Sequence, residues 1–259
     1  MKIGIFGGGF KPLTTGHFSL IALALRENDK VILCYGLSKR KKGSDFVFTV
    51  DMATKIYEIN KIALKREFGD RIEVIKGIPT PLTKIFKIIE AVRDVADNEI
   101  TSSENTLLLS SLNIDAKSVT KLTVYALPED LSIYTRHLKD EAKKKKYYGS
   151  LYDSGILEFR HGLLRDEDKE LNDISNYIDA LKSHYPDDSE ESVYDKAKMR
   201  GTKFRSLISN KDEEELSKYL PPFLSKDEKQ SIIDILIDKE NIALQERLLK
   251  SFINGFIRG

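Results

Sequence analysis

Short apolar runs alternate with longer stretches of helical spacing along the first half of the chain. Five runs read as strands, at 2–6, 30–35, 71–75, 121–126 and 156–159. They carry Val, Ile or aromatic residues and are mostly apolar, as parallel strands covered on both faces must be. Between them the spacing predicts helices over 18–27, 50–68 and 82–96. Such β–α alternation implies an α/β fold, a doubly wound parallel sheet with right-handed crossovers and helices on both faces. In sheets of this kind ligands sit at the carboxyl ends of the strands, near the point where strand order reverses.

Two stretches break the alternation. Residues 98–118 are rich in Ser, Thr and Asn and read as an insertion with a short helix around 107–112. Residues 140–154 form a second insertion, containing Lys143, Lys144, Lys145 and Lys146 followed by Tyr147 and Tyr148. That run could cover a polyanion; a solvated helix end is the simpler reading. Beyond Leu207 a charged helical stretch, 211–219, ends at Pro221 and Pro222. Ser225 and Glu228 then have the spacing of a capping box, ahead of Ile232, Ile233, Leu236 and Ile237 at helical intervals. A last helix is predicted over about 242–257. The expected organisation is an α/β domain, 1–207, and a helical subdomain, 208–259. The subdomain's apolar stripes would pack on the α/β body or, alternatively, form a dimer interface.

Composition narrows the function classes. The chain has 259 residues, enough for one large or two small domains. Its 42 basic and 41 acidic residues nearly cancel, so no global field marks a nucleic-acid binder. The single cysteine, Cys34, lies in an apolar run and reads as core; a disulfide framework is excluded and an intracellular setting is the default. No apolar run approaches the ~18 residues of a membrane span. Met1 and Lys2 lead straight into a strand, so no signal peptide is expected, and the cytoplasm is the expected compartment. One cysteine and four scattered histidines give no zinc-ligand cluster. A Ser-His-Asp hydrolase is disfavoured because no G-x-S-x-G elbow occurs.

The candidate chemistry sits directly after the first strand, where Gly8, Gly9, Phe10, Lys11, Pro12, Leu13, Thr14, Thr15, Gly16 and His17 follow one another. A strand here runs through a glycine-rich turn into a helix N-terminus. Unpaired amides and the helix dipole make such an end a seat for phosphate. Glycines let the backbone approach the ligand, Thr14 offers a hydroxyl, and His17 offers an imidazole donor. No Walker-type phosphate loop is present. Read as G-x-F-x-P-x-T-x-G-H, the stretch resembles the signature of the nucleotidylyltransferase superfamily, in the T-x-G-H form seen in phosphopantetheine adenylyltransferases. The H-x-G-H form is typical of cytidylyltransferases and nicotinamide-nucleotide adenylyltransferases. A second stretch, Gly201-Thr202-Lys203-Phe204-Arg205, resembles the superfamily's G-T-x-x-R motif, with Arg200 where a serine usually stands. Here Thr202 could cap a helix and Arg205 could reach the same phosphates with its fork.

The resemblance implies a Rossmann-like sheet of order 3-2-1-4-5 with a helical C-terminal extension. It implies attack of an acceptor phosphate on the α-phosphorus of a nucleoside triphosphate, with pyrophosphate leaving. The roles it suggests are His17 on the transition state, Thr14 on the α-phosphate, and Thr202, Lys203 and Arg205 on the pyrophosphate. Gly8, Gly9, Phe10, Gly16 and Gly201 would border the nucleotide, with Asp130 near its ribose or base. Lys11 and Lys42 are candidates for the acceptor's phosphate. Mg²⁺ would arrive on the triphosphate, largely through water. ATP is favoured over CTP because the R-T-x-G-[IV]-S-T-[ST] form of cytidylyltransferases is missing. The acceptor would be a small phosphorylated molecule, nicotinamide mononucleotide-like or phosphopantetheine-like. The alternatives are a cytidylyltransferase, a non-catalytic nucleotide-binding module whose helical tail docks a partner, or, more weakly, single-stranded nucleic-acid binding. A homo-oligomer is compatible with the sequence. The insertions and tail also resemble phage-encoded members, which would place such a chain in a host cytoplasm.

Overall fold

The computed structural model describes residues 1–38, 48–97, 102–126, 128–161, 171–199 and 201–237. Five strands, β1 (Lys2–Gly8), β2 (Lys30–Tyr35), β3 (Ile72–Lys76), β4 (Lys121–Ala126) and β5 (Leu157–His161), make one all-parallel sheet. Its order is β3-β2-β1-β4-β5, the Rossmann-like arrangement that the motif implied. Strand order therefore reverses beside β1, whose carboxyl end carries the glycines. Helices follow in chain order as α1 (Thr15–Glu27), α2 (Val50–Phe68), α3 (Pro81–Ala96), α4 (Ser103–Ser111), α5 (Pro128–Thr135) and α6 (Glu141–Tyr148). Then come α7 (Ser150–Asp153), α8 (Leu171–Lys182), α9 (Glu190–Ala197), α10 (Gly201–Asn210), α11 (Glu213–Lys218) and α12 (Lys226–Ile237).

Alternation along the strands feeds two cores. Ile3, Ile5, Ile32, Cys34, Leu122 and Val124 face a cluster completed by α3 to α7. Phe6, Val31, Leu33, Tyr35 and Tyr125 face the other, completed by α1, α2 and α8 to α12. Cys34 is fully buried as expected, and burial pushes its thiol up to about 12. Side-chain caps start the helices where the sequence offers them. Thr49 accepts from the Met52 amide at 3.1 Å, and Thr80 from Thr83 at 3.1 Å with Pro81 opening α3. At α12 the capping box is reciprocal: Glu228 N donates to Ser225 Oγ at 3.2 Å, and Ser225 N donates to Glu228 Oε2 at 2.8 Å. Arg66 on α2 grips the same carboxylate at 2.6 and 2.8 Å and holds its pKa at about 2.

Several expectations change. The division after Leu207 falls inside α10, and Phe204, Ile208, Leu216, Leu220, Ile232 and Leu236 share one apolar cluster with α1 and α2. The stretch from α10 to α12 thus builds the core over α1. Helices α8 and α9 had no counterpart in the sequence reading. Helix α5, unforeseen in the sequence reading, begins at Pro128, soon after β4. In α6, Lys143 pairs with Asp140, and Lys144 with Glu141 and Asp153. Tyr148 is buried with its hydroxyl on the Tyr134 carbonyl, and Tyr147 stacks on His137 at 4.3 Å, so this pair is committed to packing. The 242–257 stretch and Lys42 lie outside the described residues.

Half-buried His184, just past α8, meets the Phe18 ring edge-on at 5.0 Å and the Phe68 ring at 6.0 Å. Burial lowers its pKa below the usual 6.5, against a smaller opposing pull from Glu67. Between the folded and unfolded values the unfolded chain binds more protons, so stability falls as pH drops through about 6.5. Thermal melts from pH 8 to 5 should show this loss, and His184→Gln should flatten the slope over that window.

Candidate active site

The corner after β1 is built on close approaches that only small residues allow. A Cβ on Gly7 would meet the Ile85 side chain at 2.7 Å, and one on Gly8 the Phe10 ring at 2.6 Å. Phe10 itself is buried and has φ of +34°, in the region that L side chains rarely adopt. Gly9 differs: a Cβ there would meet nothing within 4 Å, and the residue is exposed. Gly9→Ala should therefore leave the melting temperature within a degree or two of wild type.

His17 sits in the first turn of α1. Its Nδ1 accepts from the Thr14 amide at 3.2 Å, and the Thr14 hydroxyl lies 2.9 Å from the same nitrogen. A ring nitrogen that accepts a backbone N–H carries no proton, so neutral His17 bears its hydrogen on Nε2 as a donor. The Phe10 ring meets the imidazole edge-to-face, centroids 5.3 Å apart at 88°. The protein thus fixes both the tautomer and the plane of this ring.

The far end of the chain closes over the same turn. Thr15 Oγ1 donates to the Lys196 carbonyl at 2.8 Å, and Thr14 Oγ1 lies 3.4 Å from the Met199 carbonyl, 185 positions away. A Cβ on Gly16 would stand 2.2 Å from that Met199 carbonyl oxygen. The glycine of the T-x-G-H stretch therefore admits the backbone that leads into α10. Tyr219 adds its carbonyl to the Thr15 amide at 2.9 Å. On α10, Arg205 folds back toward the helix start: its Nη1 would be 3.3 Å from a Cβ on Gly201. Lys203 is exposed, its ammonium 5.6 Å from the centre of the Tyr219 ring. Arg205 and Lys203 thus lie where α10 leaves the α1 corner, at a helix end whose dipole also favours anions.

The predicted residues divide accordingly. Accessible or partly so are Gly8, Gly9, Lys11, His17, Gly201, Lys203 and Arg205. Thr14 is fully buried, its hydroxyl 2.9 Å from His17 Nδ1 and 3.4 Å from the Met199 carbonyl oxygen. Phe10 and Gly16 are buried packing positions. The Thr15 amide is taken by Tyr219, so the start of α1 is less open than a bare helix end. Helix α10 already begins at Gly201, which places Thr202 inside the first turn and not at its cap. Lys11 donates to the Ser38 carbonyl, tying the corner to the loop after β2. Asp130 lies in the first turn of α5, beyond β4, and its side chain is outside the described set. Sequence reasoning missed Tyr35, whose hydroxyl donates to the Phe10 carbonyl, and Tyr219; a tyrosine within an apolar strand is the one signal that could have found the former.

The motif thus lies at the reversal point of a Rossmann-like 3-2-1-4-5 sheet, where the backbone leading into α10 packs against it. Over part of its length the chain is similar to proteins named as adenylyltransferases. A phosphopantetheine adenylyltransferase of Clostridium perfringens is 30% identical over 104 residues, 38% of this chain and 58% of that protein. One from Brucella ovis is 33% identical over 75 residues, 29% of this chain and 44% of its own length. The chain spans about half the length of the curated relatives it matches. Among solved structures, a bifunctional NMN adenylyltransferase/ADP ribose pyrophosphatase from Francisella tularensis is a remote likeness. It is 13% identical with a TM-score of 0.33, over 83% of this chain and 56% of that one. No protein-family model matches the chain.

Proposed function

We propose that this protein transfers the adenylyl group of ATP to a small acceptor bearing a phosphate, with release of pyrophosphate, and that the acceptor is phosphopantetheine-like. The observation that carries the reading is the meeting of two anion-binding elements, the Gly8–His17 corner and the start of α10, through Gly16 and Met199. The names of the homologues support adenylyl transfer and suggest the acceptor.

In this reading an acceptor phosphate oxygen attacks the α-phosphorus of ATP. The new P–O bond forms as the bond to the β-phosphate oxygen breaks, and that oxygen leaves with the pyrophosphate. Little covalent work falls to the protein; orientation and charge stabilisation dominate. His17 Nε2–H donates to the oxygens that gain charge at the α-phosphorus. Arg205 and Lys203, with the amides at the start of α10, hold the departing pyrophosphate. Lys11, and Lys42 beyond the described residues, meet the acceptor's phosphate. Among the described residues no group of three or more His, Cys, Asp or Glu could hold a metal; in this reading Mg²⁺ enters with ATP, as part of the substrate.

The test is pyrophosphate release with Mg²⁺ and each ribonucleoside triphosphate in turn. Phosphopantetheine, nicotinamide mononucleotide, glycerol phosphate and phosphocholine serve as separate acceptors. Release with ATP and phosphopantetheine alone is the expected result. Release with CTP would replace adenylyl by cytidylyl transfer. Nucleotide binding without release in any arm would overturn the enzymatic reading.

A further inference from the structure

The conformation that presents His17 depends on a side chain outside both motifs. Tyr35, the last residue of β2, is fully buried, and its hydroxyl donates to the Phe10 carbonyl. Phe10 occupies the left-handed backbone region, φ +34°, without the excuse of being a glycine. Such a conformation persists only where the surroundings over-determine it. Here three constraints converge. Gly8 leaves room for the ring, since a Cβ would lie 2.6 Å from it. Phe6 and Tyr35 wall the ring in, at centroid distances of 5.0 and 5.2 Å. The Tyr35 hydroxyl holds the carbonyl. The remaining edge of the arrangement is the imidazole of His17, at 5.3 Å and 88°.

We propose that Tyr35 is a positioning residue for His17: its buried hydroxyl locks Phe10 in the left-handed conformation, and the Phe10 ring then fixes the imidazole plane. The role assigned to His17 rests on the adenylyl-transfer reading, but the positioning does not. In an apolar interior the lost hydroxyl would leave the Phe10 carbonyl without its donor. The backbone would then relax toward negative φ and carry the ring away from His17. The imidazole would gain freedom to turn about its side-chain bonds, and Nδ1 would lose its steady hold on the Thr14 amide.

Tyr35→Phe removes one oxygen and keeps the ring. The matched control is Tyr57→Phe, which removes another hydroxyl from the same aromatic cluster. Tyr57 donates to the Val74 carbonyl at 3.2 Å and packs edge-on against Tyr35 at 5.3 Å, but the hydroxyl it loses is not bonded to Phe10. Both full-length variants would be labelled with ¹⁵N-histidine and read by two-bond nitrogen–proton correlation, which reports the protonated ring nitrogen. Wild type and Tyr57→Phe should show His17 as a single Nε2–H tautomer; Tyr35→Phe should show averaged nitrogens. With MgATP and phosphopantetheine, kcat should fall about tenfold in Tyr35→Phe while KM for ATP stays within twofold. An unaltered His17 pattern in Tyr35→Phe, or the same change in both variants, would overturn the proposal. If the wild type releases no pyrophosphate, the activity reading fails and the nitrogen pattern still decides the positioning. Phe10→Leu approaches the same link from its other end and should reproduce the averaged pattern should Tyr35→Phe not fold.

Discussion

His17→Ala should lower pyrophosphate release from MgATP by about 10²-fold or more, the usual loss when one preorganised donor to a developing charge is removed. The structure gives this expectation its specific form. His17 holds no apolar core position; it is half-buried, with Nδ1 committed to the Thr14 amide and its other nitrogen protonated. Alanine therefore removes the donor and leaves one backbone amide unpaired, a stability loss of about 1 kcal/mol. ATP affinity should change by only a few fold, because the loss falls on the transition state. His17→Asn would separate the two effects. Its side-chain oxygen can accept from the Thr14 amide N–H in place of Nδ1, so stability should recover while the rate stays low. A rate in His17→Ala within threefold of wild type would remove His17 from the chemistry.

Gly16→Ala should damage stability and activity together. The added carbon would stand 2.2 Å from the Met199 carbonyl oxygen, 3.0 Å from its carbonyl carbon and 3.1 Å from the Ala197 carbonyl oxygen. All three are backbone atoms, which cannot swing aside as a flexible side chain would. Overpacking of this kind costs about 1–3 kcal/mol, several degrees of melting temperature in a chain of this size. To relieve it, the backbone leading into α10 must move off α1, carrying Arg205 and Lys203 from the corner. Pyrophosphate release should fall further than the folded fraction does. Gly9→Ala is the natural comparison, since its methyl enters open space. Equal stability of the two variants in thermal melts would show that the close approach at Gly16 is not what joins the motifs.

The sheet was legible because its strands are short, apolar and separated by clear helical spacing. β2 and β4 coincide with their predicted limits, 30–35 and 121–126, and the order follows from the resemblance. The capping box at Ser225 was legible for the same local reason. Helices α8 and α9 were not, because their cues are short and polar: Ser189 caps α9 by accepting from Ser192 at 3.2 Å, a signal easily lost in charged sequence. In the site, the residue types suggested a chemistry but not which side chains are buried. Thr14 and Phe10 read as ligand contacts because the motif lists them beside His17. Their burial follows from Met199 and Tyr35, which are remote in sequence, and no local pattern encodes that pairing. The supposed boundary at 207 came from a change in composition, yet a charged outer face says nothing about the inner face of the same helix.

The contacts of Thr14, Thr15 and Gly16 with Lys196, Met199 and Tyr219 also set an order of assembly. A ribosome that has released the chain as far as His161 has delivered every strand of the sheet, and the β1–α1 corner with it. That nascent chain still lacks the carbonyls that cover the first turn of α1, and it lacks the helix that brings Arg205. The sheet can form early, but the cover over the first turn of α1 must wait until the residues from Lys196 to Tyr219 emerge.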